Sequence, residues 1–238
     1  MKKFLLFIVL FFISADKKPI IRVNSTTYDF GFGLEGEYYL YRTYIYNDGN
    51  ANLKIDRVRS SCHCTSAPLE KKLVKPGDSV YLDLIFNTHE YYGEKKRRGI
   101  IYSNDEQTPV TTVGFRIVLA DRYYIPLAVN PMTIDLSSID SLSPQTSIDI
   151  YNGTLEPCSL KVINVFGDVI RDAYLDNEVL NSKDTVKLHV ILKPRFKLND
   201  KGSITLWLYY YKDERVLRFS IPLSSHKRVF EGEGDLIK

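Results

Sequence analysis

Along most of the chain apolar side chains recur at every second position, the period of a strand that turns one face inward. Tyr39, Tyr41, Thr43 and Ile45 make one such row, Val80, Leu82, Leu84 and Phe86 a second, and Val113, Phe115, Ile117 and Leu119 a third. Further along, Ile148 and Ile150 alternate with Ser147, Asp149 and Tyr151. Val186, Leu188, Val190 and Leu192 continue the pattern, as do Leu217, Phe219, Ile221 and Leu223. Leu53 and Ile55 open a strand whose alternation lapses at Asp56–Arg59, as at a bulge or a strand end. No stretch beyond the first residues keeps a 3.6 period, and 17 tyrosines and 12 phenylalanines suit strands better than helices. The fold class expected is all-β.

The rows come in two sets. YIYNDGNANLKI (44–55) stands against IDIYNGTLEPCSLKV (148–162), KPGDSVYLDLIFN (75–87) against NSKDTVKLHVILKP (181–194), and the segment 97–119 against 200–223. The matches keep their order at a spacing of roughly a hundred residues, the size of one β-sandwich. The expectation is two tandem sandwiches, residues 16–120 and 121–226, each closing its own core and sharing no sheet, followed by a polar tail at 227–238. The join near Ala120–Arg122 has no Gly/Ser or Pro-rich stretch to loosen it. The same parity puts His189 outward, on the surface, and leaves Trp207 as a core or inter-sheet anchor. Asn24-Ser25-Thr26 and Asn152-Gly153-Thr154 have the form of glycosylation acceptors, a triplet common by chance.

The start of the chain differs. Lys2 and Lys3 precede an unbroken apolar run from Phe4 to Ile13, and Ser14-Ala15 gives a small-residue exit. This is the layout of a secretory signal peptide cleaved near Ala15. The run is shorter than the roughly 20 residues a spanning helix needs, so no membrane span is expected in the mature chain. The location expected is extracytoplasmic, periplasmic or secreted. Cleavage removes two of the 32 basic residues and none of the 29 acidic ones, leaving a charge of about +1. The short run Lys95–Arg98 follows Glu94 and reads as a solvated strand end, so nucleic acid is not an expected partner.

Chemistry concentrates at SSCHCT, residues 60–65, where Cys62 and Cys64 flank His63 in a chain with three cysteines. If the segment is extended, positions two apart point the same way, and two strand steps span roughly 6.6 Å. A Cys62–Cys64 disulfide is then near the upper limit of reach. The other readings are a pair of thiolates for a soft cation such as Cu(I), with His89 as the one further ligand in this half, or a thiol–disulfide centre. The three stay open here. Cys158, in the second set, has no partner that the sequence assigns. No nucleophile elbow, HExxH or phosphate loop occurs, and Asp48, Asp78 and Asp105 stand in turn contexts. No catalytic residue and no cofactor are expected.

The first set also carries Tyr28-Asp29-Phe30-Gly31, Glu35-Gly36-Glu37, Asn47-Asp48-Gly49-Asn50, Ser61-Cys62-His63-Cys64-Thr65, Pro76-Gly77 and Tyr102-Ser103-Asn104-Asp105. In this order they closely resemble the bacterial secreted proteins of domain-of-unknown-function family 1573, which look like Hydin-type immunoglobulin-like domains. The resemblance implies an immunoglobulin-like sandwich and no established activity. His63 departs from it, since that family usually has Gly between the cysteines, and the second set lacks the cysteine motif. The leading expectation is a non-catalytic protein that meets a protein partner in the cell envelope. The alternative is a metal or thiol–disulfide handler acting through Cys62 and Cys64.

Overall fold

The computed structural model describes residues 17–123 and 125–225. The leader read over residues 1–15, His226 and the tail at 227–238 lie outside them. Among the described residues the chain is all-β, with one 3-10 turn at Leu136–Ser138. The first half supplies β1 (Ile21–Val23), β2 (Thr27–Leu34), β3 (Tyr38–Asn47), β4 (Leu53–Ser60), β5 (Thr65–Ser66), β6 (Leu73–Val74), β7 (Ser79–Asn87), β8 (Gly93–Ser103) and β9 (Val110–Ala120). The second supplies β10 (Leu127–Asn130), β11 (Ile134–Asp135), β12 (Gln145–Asn152), β13 (Cys158–Phe166), β14 (Ile170–Leu175), β15 (Val179–Leu180), β16 (Thr185–Leu192), β17 (Gly202–Tyr210) and β18 (Arg215–Ser224).

Strand order repeats between the halves. One sheet of the first half runs β1-β3-β7-β5, and its counterpart runs β10-β12-β16-β14. The facing layer runs β6-β4-β8-β9-β2 in one half and β15-β13-β17-β18 with β11 in the other. The closing pair is parallel both times, β2 on β9 and β11 on β18. The alternation read from the sequence decides what these sheets enclose. Tyr39, Tyr41, Thr43 and Ile45 are all buried, as are the rows from Val80 and Val113. Ile148, Ile150 and the row from Val186 are buried too, while Leu217 is only half-buried. Two core clusters result, one of buried residues from 21–119 with Phe166 packed against it, and one from residues 123–223 that also takes in Leu34 and Phe32 of β2. Leu188 is fully buried and its neighbour His189 lies against the Tyr174 ring on the outer face. Leu188→Ala should therefore cost about 2–5 kcal/mol as a core deletion. His189→Ala should cost under about 1 kcal/mol, and equal losses in urea denaturation would contradict the inward and outward assignment.

The repeated Tyr-Asn of the sequence has a physical reason. Asn47 and Asn152 end β3 and β12, and both are fully buried. The Asn47 amide donates to the carbonyls of Ala51 and Val74, and the Asn152 amide to those of Glu156, Leu180 and Asn181. Their backbones bond equivalent turns: Asn47 N–H reaches Asp78 O, and Asn152 N–H reaches Asp184 O. The carbonyls of the two asparagines accept from Gly77 and Lys183, which both have left-handed φ, 78° and 59°. Asn152 is thus a buried structural amide, closed to glycosylation in the folded chain.

One expectation needs correction. The halves do share a sheet: β2 pairs with β9 on one side and meets β18 at Phe32–Phe219 on the other. The cause lies in what the outer face of the second half carries. Ser203, Thr205 and Ser220 occupy outward positions of β17 and β18, yet all three are fully buried, because β2 and β3 cover them. Each finds a partner there. Ser203 Oγ accepts from Leu40 N–H, and Ser220 Oγ lies 2.8 Å from Thr205 Oγ1 and donates to Phe30 O. Phe166 of β13 packs among Tyr28, Phe30 and Tyr41. Arg42 bonds Asp83 of its own half and Asp168 of the other. Small hydroxyl side chains let the sheets approach, and their bonds satisfy the polar atoms so buried.

Gly31 allows the tightest contact. Its φ is +69°, and a Cβ there would lie 2.1 Å from the Arg218 carbonyl oxygen. The β2–β9 register slips between Asp29 and Phe32 at this point, where Asp29 Oδ1 accepts from Gly31 N–H.

Candidate functional site

The cysteine motif forms the corner where the chain changes sheets. β4 lies beside β8 in one layer, while β5 pairs with β7 in the other, so residues 61–64 carry the chain across. β4 keeps pairing through Ser60 opposite Gly99, after a register shift between Ile55 and Arg57. Ser61 then bonds Arg98 twice, N–H to O at 2.9 Å and Oγ from N–H at 3.0 Å. Here the backbone turns. Thr65 N–H reaches Cys62 O at 3.3 Å, Ser60 Oγ donates to the same carbonyl, and Asn87 N–H donates to Cys64 O at 2.9 Å.

Cys62 and Cys64 are joined in a disulfide with Cα atoms 5.3 Å apart. This is shorter than the roughly 6.6 Å of an extended pair, because the motif is a turn. Both residues are half-buried. Cys64 packs against the first core, and Cys62 lies outside that cluster. The buried Thr65 places its hydroxyl 3.4 Å from Cys62 Sγ and 3.9 Å from Cys64 Sγ. Arg97, on β8, donates from Nε to Cys64 Sγ at 3.1 Å. Its guanidinium lies over the rings of Phe86 and Tyr91, 4.8 and 5.0 Å from their centroids, and Nη1 bonds Lys96 O.

The remaining candidates fall elsewhere. His63 is exposed at the tip of the turn. His89 follows β7, with Nδ1 3.8 Å from Glu35 Oε1. The set Cys62, Cys64 and His89 is therefore not assembled as a metal site: the sulfurs bond each other and His89 faces a carboxylate. Among the described residues no group of three His, Cys, Asp or Glu side chains converges to hold a metal ion. Cys158 is a free thiol, fully buried in the second core, where desolvation pushes its pKa up to about 11. Asp105, one of the turn acids, is buried, which works against its charge. Donors from Ile21, Thr108 and Gln107 outweigh this and hold it below the usual carboxylate range, so it ties β1 to the loop after β8. Asp48 pairs with Arg22. These acids are occupied in holding turns.

Arg97 carries no signature of this contact in the sequence. It stands in a Lys/Arg run that reads as solvated, and only the pairing of β8 with β4 brings it to the cysteines.

Residues 21–115 match a family model whose description is "Protein of unknown function (DUF1573)". The chain carries a DUF1573 domain. The matched span holds the cysteine corner, Arg97 and the β2 strand, and ends within β9. No curated protein matches the chain significantly. Among solved structures, a protein of unknown function from Porphyromonas gingivalis is 14% identical, covering 86% of this chain and 99% of that one, with a TM-score of 0.36. The periplasmic chaperone SfaE is 10% identical over 86% of this chain and 99% of its own, TM-score 0.31. The CupB2 chaperone of Pseudomonas aeruginosa is 9% identical over 85% and 100%, TM-score 0.31. Likeness at this level carries no argument about architecture or activity.

Proposed function

We propose that this DUF1573-containing protein works outside the cytoplasm as a non-catalytic interaction protein. In this reading the leader is removed near Ala15, and two tandem immunoglobulin-like sandwiches, held as one body, meet a protein partner of the cell envelope. No helix of the described residues is long and apolar enough to cross a membrane. The observation that carries the reading is the repeated strand order with its buried, hydrogen-bonded junction. Duplication followed by fusion of the two units gives a stiff body with sheet edges at its ends, a form suited to binding.

One edge fits this use best. β14 ends its sheet with six residues, Ile170–Leu175, where its counterpart β5 has only two. An extended segment of a partner can add to such an edge, backbone to backbone. Ala173 N–H donates to the Asp172 side chain rather than to β16. Ala173→Pro therefore removes an outward donor without cutting a rung of the sheet. Cross-linking and affinity capture from envelope extracts should recover one specific protein, and Ala173→Pro should reduce its yield at least about ten-fold. Recovery of no specific partner, or equal recovery with the folded variant, would count against the reading.

A further inference from the structure

The Cys62–Cys64 bond is poorly explained as a clip. The stabilisation a disulfide gives by restricting the unfolded chain grows with the loop it closes, and a loop with one intervening residue lies at the small end of that scale. The corner is also held without it. Ser60, Ser61, Thr65 and Asn87 fix its backbone through the hydrogen bonds given above.

Arg97 points to a different role. The rings of Phe86 and Tyr91 and the Lys96 carbonyl hold its guanidinium in place, and its Nε–H is directed at Cys64 Sγ. Among the described residues this guanidinium forms no ion pair with a carboxylate. A neutral disulfide sulfur is a weak acceptor, whereas a thiolate at the same place takes a charge-assisted hydrogen bond about twice as strong as a neutral one. The arrangement is thus complementary to the product of opening the bond. Cys62 lies outside the core cluster against which Cys64 packs, so it is the sulfur more open to attack.

We infer that Cys62–Cys64 is an exchangeable disulfide, opened by an incoming thiol at Cys62, with Cys64 leaving as a thiolate bound by Arg97. In the first step the thiolate RS− attacks Cys62 Sγ. The Cys62–Cys64 bond breaks, a Cys62–S–SR bond forms, and the electron pair of the broken bond goes to Cys64. A second RS− attacks the R-bearing sulfur of the mixed disulfide, releasing RSSR and the Cys62 thiolate. Two thiols are oxidised to one disulfide, the cysteine pair takes up two electrons, and the two protons lost by the thiols are available to the new thiolates. By hydrogen-bonding the departing sulfur, Arg97 stabilises the leaving thiolate and speeds the first step. It also directs that step to one sulfur. Reduction would leave the backbone bonds of the corner in place and provide Cys62 as a nucleophile for the reverse reaction.

The test uses the purified chain and reduced glutathione as RSH. Samples are quenched at intervals, unfolded, alkylated with maleimide and mapped by peptide mass, with Cys158 as an internal thiol standard. Glutathione should be found on Cys62 and maleimide on Cys64 at least ten times as often as the reverse, and Arg97→Gln should slow the first exchange about ten-fold and erase that preference. Arg97→Lys should restore part of both. The wild-type regiochemistry needs no variant, so it decides the matter even if Arg97→Gln folds poorly. Equal labelling of the two cysteines, an exchange rate unchanged in folded Arg97→Gln, or a bond that resists glutathione in the folded protein would each overturn the inference. None of these outcomes depends on whether an envelope partner exists.

Discussion

Gly31→Ala should destabilise the protein by about 2–6 kcal/mol, combining the strain of a left-handed non-glycine residue with that of overpacking. The new Cβ has no room, since Arg218 O would lie 2.1 Å away. The obstacle is backbone and cannot rotate aside. β2 must therefore move off β18, breaking the Phe32–Phe219 bridge and lengthening the bond from Ser220 Oγ to Phe30 O, now 2.7 Å. Gly36 supplies the control. Its φ is +79°, but a Cβ there meets nothing within 4 Å. Gly36→Ala should cost only the backbone term, about 1 kcal/mol. Differential scanning calorimetry should also show a qualitative change. The wild type should unfold in one transition because its cores are joined through β2, and Gly31→Ala should broaden or split it. Equal losses for the two alanines in urea denaturation, with one transition kept, would mean that the β2–β18 contact contributes nothing to coupling.

The inward rows of both halves were legible in the sequence, and the junction between the halves was not. Alternation identifies the inward rows because the pleat enforces a period of two wherever one face is dry. It assumes that the other face is wet. On β17 and β18 that assumption fails. Ser203, Thr205 and Ser220 look like solvent-facing residues, but they lie under β2 and β3. A signal was present in the contrast with β16, whose outward positions include the long or charged side chains of Lys187 and His189. Small polar side chains can mean close approach of another layer as well as exposure. The Asp29-Phe30-Gly31 motif was visible, but its cause was not, because the atom that demands glycine belongs to Arg218, far along the chain.

The cysteine corner was legible in the same partial way. That Cys62 and Cys64 end a strand before a connection followed from Leu53, Ile55 and the lapse after them. An extended segment was the wrong local geometry, since Thr65 N–H closes a turn on Cys62 O and shortens the Cα separation to 5.3 Å. His63 and His89 drew attention because they are ligand types, yet neither meets the sulfurs. The side chain that does is an arginine on the neighbouring strand β8, brought near by the register of its pairing with β4, a property that local spacing does not encode.

Asn152→Asp should cost about 4–6 kcal/mol at pH 7, and most of that should disappear on acidification. The Asn152 amide donates to the carbonyls of Glu156, Leu180 and Asn181 at 2.8, 3.3 and 3.1 Å, inside a fully buried site. A carboxylate there would direct negative charge at three carbonyl oxygens, with donors only from Thr154 on its other oxygen. The folded variant avoids this by staying protonated. Holding an acid of unfolded pKa near 3.9 neutral at pH 7 costs about 4 kcal/mol, at 1.36 kcal/mol per unit. Carbonyls left without a donor add about 1–2 kcal/mol more. The folded pKa of this aspartate is raised, so the variant is most stable below the unfolded value and loses stability as pH rises. The deficit relative to wild type should thus grow by about 1.4 kcal/mol per pH unit between pH 4 and 7. Asn152→Ala should show a smaller deficit with no such slope. Asn47→Asp should behave like Asn152→Asp, because the Asn47 amide serves Ala51 and Val74 in the equivalent place. Denaturation of the three variants across this pH range checks the scheme: a flat deficit for the aspartates would show that the site admits water, and that the shared Tyr-Asn is not the buried bracket of both halves.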